Sequence, residues 1–193
     1  MRILNAACGG HRPPEPWVNL DTLKQQLKPG SPEMENLLKE TNYVECDLLT
    51  QSIPFPDEYF DGLLLQHVLE HFTCHEAVQV LLSCRRVLKA GGLLVASVPD
   101  AEYFLSCYDK DTPDRAIELF GERISEPEHT SFFSYALWHL GHKQVLTASS
   151  LTCLLLRASF RKSEIFWKDP PIEEDMLKQL NRLKFSAILY AYK

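Results

Sequence analysis

Apolar runs of strand length alternate with helix-period segments along this chain, and that alternation constrains its fold more than any other feature. Arg2-Ile3-Leu4-Asn5-Ala6 reads as a first strand ending at the Gly9-Gly10 turn, and Trp17-Val18-Asn19-Leu20-Asp21 as a second. Between them, His11 to Pro16 holds too many prolines for a full helix, since proline removes an amide donor and crowds the preceding turn. Ser31-Pro32-Glu33 supplies an N-cap, a first-turn proline and an acid, predicting a short helix through Leu37 and Leu38. A third strand is expected at Tyr43-Val44-Glu45-Cys46, closing at Asp47. Phe60 to Gln66 reads as a fourth, and its apolar second half fits a strand covered on both faces near the sheet centre.

From Cys74 to Lys89, Ala77, Val80, Leu81, Cys84, Val87 and Leu88 recur at helical spacing, and Gly91-Gly92 is expected to end the element. Leu93 to Val98 then forms a fifth strand stopped by Pro99. Asp100 to Gly141 breaks the rhythm, with aromatics set among charges, and 101–141 is expected to form a partly helical lid on the substrate side. Ser149 or Ser150 is expected to cap a last helix carrying Leu151, Leu154, Leu155 and Ala158, with closing strands at Lys162 to Trp167 and Phe185 to Tyr192. The chain of 193 residues, 45% hydrophobic, suits one α/β domain over 1–193.

Composition narrows the function classes. The formal net charge is −6 and the basic residues are scattered, which argues against a nucleic-acid partner. No stretch approaches the roughly 20 apolar residues of a membrane-spanning helix. Cys8, Cys46, Cys74, Cys84, Cys107 and Cys153 form no C-x-x-C pair, so they read as free thiols of a cytoplasmic protein rather than metal ligands or disulfides.

Several segments, in order, carry a family resemblance. Leu4-Asn5-Ala6-Ala7-Cys8-Gly9-Gly10 resembles the glycine-rich first motif of class I S-adenosylmethionine-dependent methyltransferases of the small bacterial type 11 branch. Ile53-Pro54-Phe55-Pro56-Asp57-Glu58-Tyr59-Phe60-Asp61 is similar to that family's "lPFpdnsFD", and His67-Val68-Leu69-Glu70-His71 to its "hVLEH". Arg86-Val87-Leu88-Lys89-Ala90-Gly91-Gly92 resembles "RVLKPGG", and Gly141-His142-Lys143 with Leu151 to Phe160 resembles the family's tail. Two positions depart from it: Ala7 stands where the family has its first glycine, and Asn5 where an acid is usual. The sequence starts at the first strand, without the family's preceding helix, so the expectation is a more open cofactor site or one covered by another subunit or the lid.

The resemblance implies a Rossmann-like methyltransferase fold. Its sheet would have seven mostly parallel strands, with helices on both faces and a helical insertion after strand 5. It also implies S-adenosyl-L-methionine as cofactor and a small-molecule acceptor. Ala7, Cys8, Gly9 and Gly10 would then pass close to the cofactor, glycine having no Cβ to block approach. Asp21, at the end of the second strand, would accept from both ribose hydroxyls. Asp47 with Leu48 beside it would meet the adenine, and Gln66 and His67 the methyl-transfer point. His67 and His142 are the candidate general bases, needed only where the acceptor carries a proton of high pKa. A homodimer would suit the exposed first-strand region and the aromatic insertion.

Three other readings compete. His67 to His71 satisfies H-x-x-E-H, an inverted zinc-protease pattern, but that pattern needs His67 inside a helix, whereas Leu63-Leu64-Leu65 before it favour a strand end; no metal is assigned. A dinucleotide dehydrogenase would need G-x-G-x-x-G leading into a helix, which Ala7-Cys8-Gly9-Gly10 lacks. The alternative of another class is a non-catalytic methyltransferase-like binding module, since fold does not fix function.

Overall fold

In the computed structural model, residues 1–106, 141–161, 165–166 and 186–193 are described. The elements are β1 (Ile3–Ala6), β2 (Trp17–Asp21), α1 (Leu23–Gln26), α2 (Pro32–Leu37), β3 (Tyr43–Glu45) and β4 (Phe60–Gln66). A 3-10 turn (Leu69–His71) leads to α3 (Cys74–Val87), β5 (Leu88–Pro99), α4 (Ala101–Ser106), α5 (Ala148–Arg157), β6 (Ile165–Phe166) and β7 (Ser186–Tyr192).

The strands form one mixed, mostly parallel sheet in the order β3-β2-β1-β4-β5-β7-β6, with β7 antiparallel to both neighbours. Sequence order reverses between β1 and β4, which run parallel with Ala6 beside Leu65. Open α/β sheets bind ligands at such a switch point, beyond the carboxyl ends of the strands.

Period-two alternation assigns the sheet's side chains to two apolar layers. Leu4, Ala6, Leu63, Leu65, Leu94, Ala96, Leu189 and Ala191 pack in the larger cluster with α3 and α5. Ile3, Trp17, Leu64, Leu93, Val95 and Tyr190 form a second cluster. Helix α3 starts on a capping box: the Thr73 hydroxyl accepts from the Glu76 amide and the Glu76 carboxylate accepts from the Thr73 amide. Ser31 caps α2 as expected, accepting from the Met34 amide at 3.2 Å.

The start of β5 and the cap of α5 differ from the sequence reading, beyond shifts of one or two residues at the ends of β1, β3 and α3. β5 begins at Leu88 rather than Leu93, because Leu88 pairs with Phe60 before an irregularity that brings Gly62 opposite Leu93. Gly91, at φ 73°, supplies the left-handed residue inside that irregularity and does not end the element. α5 is capped by Thr147 rather than Ser149 or Ser150; Thr147 accepts from the Ser150 amide, and Ser150 closes the box on the Thr147 amide.

The β1–β2 link is an extended span fastened by side-chain amides. Asn5 Nδ2 donates to the His11 carbonyl at 2.8 Å, and Asn19 Nδ2 to the Pro13 carbonyl at 2.8 Å. Asn42 Nδ2 donates to the Pro13 and Trp17 carbonyls, while Arg12 pairs with Glu40 through two nitrogens. Asn5 and Asn19 are opposite each other in the sheet and fully buried, so their hydrogen bonds satisfy the buried amides and the proline-rich span together. Beyond α4, most of the expected lid lies outside the described residues, as do residues 162–164, 167 and 185 of the two closing-strand ranges.

Candidate active site

Four strand ends meet at the carboxyl edge of the sheet: Ala6, Asp21, Glu45 and Gln66. After β1 the chain turns sharply, with Ala7 at φ 54° and Gly9 at φ 53°. The Cys8 amide donates to the Leu20 carbonyl at 3.1 Å, which keeps the turn against the end of β2. The Gly9 amide donates to Asp21 Oδ2 at 2.7 Å, and Oδ1 accepts from the Thr22 amide at 2.7 Å. The Cys8 loop and Asp21 therefore form one unit.

A Cβ added at Gly9 or Gly10 would meet nothing within 4 Å, so open space faces both glycines. A carboxylate offers about four lone-pair sites, and Asp21, half-buried, keeps acceptor capacity beyond its two amide partners. The Cys8 thiol is buried beneath this loop, and burial with the neighbouring Asp21 charge pushes its pKa up to about 12. Cys8 is thus a neutral packing group there, not a nucleophile.

Asp47 lies one step along the same edge, because the Cys46 amide donates to the Asp21 carbonyl at 2.9 Å. Its carboxylate accepts from the Leu49 amide and the Thr50 hydroxyl, each at 2.9 Å, so it also shapes its own turn. Leu48 is buried beside it.

Sequence reasoning did not single out Tyr43. Its hydroxyl accepts from the Leu23 amide at 2.9 Å and stands 2.6 Å from Glu45 Oε2 and 2.9 Å from the Asp21 carbonyl, the acceptors for its one proton. Burial, then the Glu45 hydrogen bond, raises the Tyr43 pKa well above the ordinary phenol value. This hub fixes the backbone from the Asp21 carbonyl to the Leu23 amide, and no local pattern around residue 43 announces it.

At the end of β4, Gln66 is the last strand residue and His67 turns the chain at φ 51°. The His67 amide donates to the Ser97 carbonyl at 2.9 Å, its Nε2 lies 2.8 Å from Ser186 Oγ, and its Nδ1 lies 3.4 Å from Glu70 Oε1. His67 therefore ends a strand, and the helix-borne His67–His71 pair of the inverted zinc pattern does not form. His142 comes from a distant segment and is buried edge-to-face against His71, with ring centroids 4.9 Å apart.

The other two family-like motifs meet at the opposite edge. Arg86 donates to the Phe55 and Ile53 carbonyls, Ser52 Oγ and Asp57 Oδ1, so they hold the fold and stand away from the sheet's carboxyl edge.

Comparison with known proteins agrees with this fold. The family described as Methyltransferase domain matches residues 6–96. The ubiquinone/menaquinone biosynthesis C-methyltransferase UbiE of Erwinia tasmaniensis is 34% identical over 97 residues, covering 48% of this chain and 37% of its own length. The chain thus spans little more than a third of that relative. Among solved structures, a SAM-dependent methyltransferase of Archaeoglobus fulgidus superposes at a TM-score of 0.52 with 17% identity, covering all of this chain and 86% of the other. Human N-acetylserotonin methyltransferase, in complex with SAM, gives 0.53 with 12% identity, over all of this chain and 47% of its own. With the sheet order, the Cys8 loop joined to Asp21, and the match over residues 6–96, the chain has the Rossmann-like methyltransferase fold and is similar over that stretch to the Methyltransferase domain family.

Proposed function

We propose that the chain transfers the methyl group of S-adenosyl-L-methionine to a small, partly apolar acceptor molecule, as one domain over 1–193 with 101–141 as its substrate-side cover. The observation that carries this reading is the 2.7 Å bond from the Gly9 amide to the Asp21 carboxylate, which sets an acceptor group beside open space at the sheet's switch point. In this reading Asp21 takes the ribose hydroxyls, Asp47 and Leu48 border the adenine, and Ala7 to Gly10 line the methionyl side. The cofactor supplies a methyl already activated on a sulfonium. The chain's part is then alignment of the acceptor, which alone accounts for much of the acceleration in such displacements. Gln66 and His67, at the end of β4, face the methyl-transfer point in this reading, and His67 is held in orientation by Ser186.

Calorimetric titration with S-adenosylmethionine and S-adenosylhomocysteine tests this. Binding of both is expected, weakened by about 10–100-fold in Asp21→Ala, the loss of one or two hydrogen bonds to a charged acceptor. Asp21→Asn, which keeps an oxygen for the Gly9 amide, separates lost cofactor contact from a disordered loop. Absence of heat with both ligands in the folded wild-type chain would instead support the non-catalytic binding module.

A further inference from the structure

The turn after β4 buries a carboxylate with no hydrogen-bond partner. Glu70 is 2% exposed, and neither of its carboxylate oxygens makes a hydrogen bond. The near group is His67 Nδ1, 3.4 Å from Oε1 and outside hydrogen-bond geometry. Buried carboxylates in proteins are paired or coordinate a metal, so this one calls for a cation.

Two imidazoles stand beside it. One donor atom from each of Glu70, His71 and His142 lies within 4.8 Å of the others. His71 and Glu70 come from the 3-10 turn, while His142 comes from a segment about seventy residues later, and backbone bonds fasten the two together. The Lys143 and Gln144 amides donate to the Glu70 carbonyl at 2.8 and 3.2 Å. The Gln144 side chain donates to the Phe72 carbonyl at 2.7 Å, and Lys143 pairs with Glu76 at 3.3 Å. The three donors are thus held in place by contacts that owe nothing to an ion, as a preorganised site requires.

We propose that Glu70, His71 and His142 bind a divalent transition-metal ion of the zinc class. Two imidazole nitrogens and one carboxylate oxygen suit zinc, not magnesium or calcium, which prefer all-oxygen ligands. Zinc bonds of about 2.0–2.1 Å place tetrahedral donors roughly 3.3 Å apart, so small side-chain rotations close the site. Three protein ligands leave a fourth position for water or a ligand. His67, with Nδ1 3.4 Å from the same carboxylate, is its near neighbour outside the ligand set. The ligand set differs from the H-x-x-E-H pattern: His142 takes the place that His67, turned toward Ser186, does not fill.

The test is independent of S-adenosylmethionine. Chelator-treated, refolded-checked chain is titrated with Zn²⁺ by calorimetry and with Co²⁺ by visible absorption, without cofactor. One ion per chain is expected, with cobalt d–d bands and a rise in melting temperature on adding Zn²⁺. His71→Asn and His142→Asn should each weaken binding by more than the roughly 10–100-fold that a supporting partner contributes, whereas the exposed neighbour His75→Asn should leave it unchanged. His71 is only half-buried, so its variant keeps the test readable if His142→Asn does not fold. No stoichiometric binding, or binding equally tight in both variants, overturns the proposal.

Discussion

The Gly9 amide and the Asp21 carboxylate, twelve residues apart, share a hydrogen bond of 2.7 Å that joins the loop after β1 to the end of β2. Asp21 is therefore both a candidate ribose acceptor and a fastening for the loop around it. Asp21→Ala should lower stability by about 1–2 kcal/mol, within the range for hydrogen bonds to charged groups. Urea unfolding with and without S-adenosylmethionine checks it: the added ligand should raise the wild-type midpoint and leave that of the variant almost unmoved.

Ala7 occupies a left-handed conformation, φ 54°, at the position where the resembling motif has glycine. An L-residue there is strained by about 1–2 kcal/mol, and glycine's greater freedom in the unfolded chain takes back roughly 0.5–1 kcal/mol. Ala7→Gly should stabilise the chain by about 0.5–1 kcal/mol. Gly9→Ala, at φ 53° and with no steric neighbour, should destabilise it by a similar amount. Chemical unfolding of both variants that moved their midpoints in the same direction would contradict the φ argument.

Arg86 reaches four acceptors in the 52–57 loop with one planar group. Arg86→Ala should lower stability by about 2 kcal/mol, given that the side chain is partly solvated. Arg86→Lys should recover little, because a single ammonium cannot span that fan of acceptors. Cofactor affinity, measured by the same calorimetry, is expected to stay unchanged in both, since the clasp sits at the far edge of the sheet.

Lys89, and then the Arg2 amide, hold the Asp61 carboxyl below the usual carboxylate range. The folded value is depressed, so this pairing adds stability above the unfolded value of about 3.9 and loses it as pH falls through the lower folded value. Asp61→Asn should flatten the acid limb of a melting-temperature profile below pH 5 (about the upper end of that window). An unchanged acid limb would remove Asp61 from it.

Burial pushes the Cys84 thiol up to about 12, as burial and Asp21 do for Cys8. Both should resist iodoacetamide at neutral pH in the folded chain, while the exposed Cys74 and Cys153 react. Peptide mass mapping before and after urea reads the difference; rapid labelling of Cys8 in the native protein would mean that its loop is open.

Strands with a clear apolar rhythm were legible in the sequence: β2 and β4 run over the expected residues, and Ser31 caps α2. Gly91-Gly92 misled, because a glycine pair ends helices and also makes strand irregularities, and only the pairing of Leu88 with Phe60 decides between them. Asn5 read as the loss of an acid; its amide instead donates to His11, which no carboxylate could do. The proximity of Glu70, His71 and His142 was hidden by chain distance, since backbone bonds from 143 and 144 to residue 70 bring them together. Tyr43 was hidden for the same reason, its backbone partners Asp21 and Leu23 lying about twenty residues earlier in the chain.

The asparagine-fastened span from His11 to Pro16 has a consequence for ligand selection. Where dinucleotide-binding proteins begin a helix directly after their glycines, this chain runs from His11 to Pro16 without one, so that span offers no helix start to the loop. A pyrophosphate would find no dipole from that span to receive it. Under the proposed function, a nucleoside bearing a cationic sulfur would meet no repulsion from that quarter.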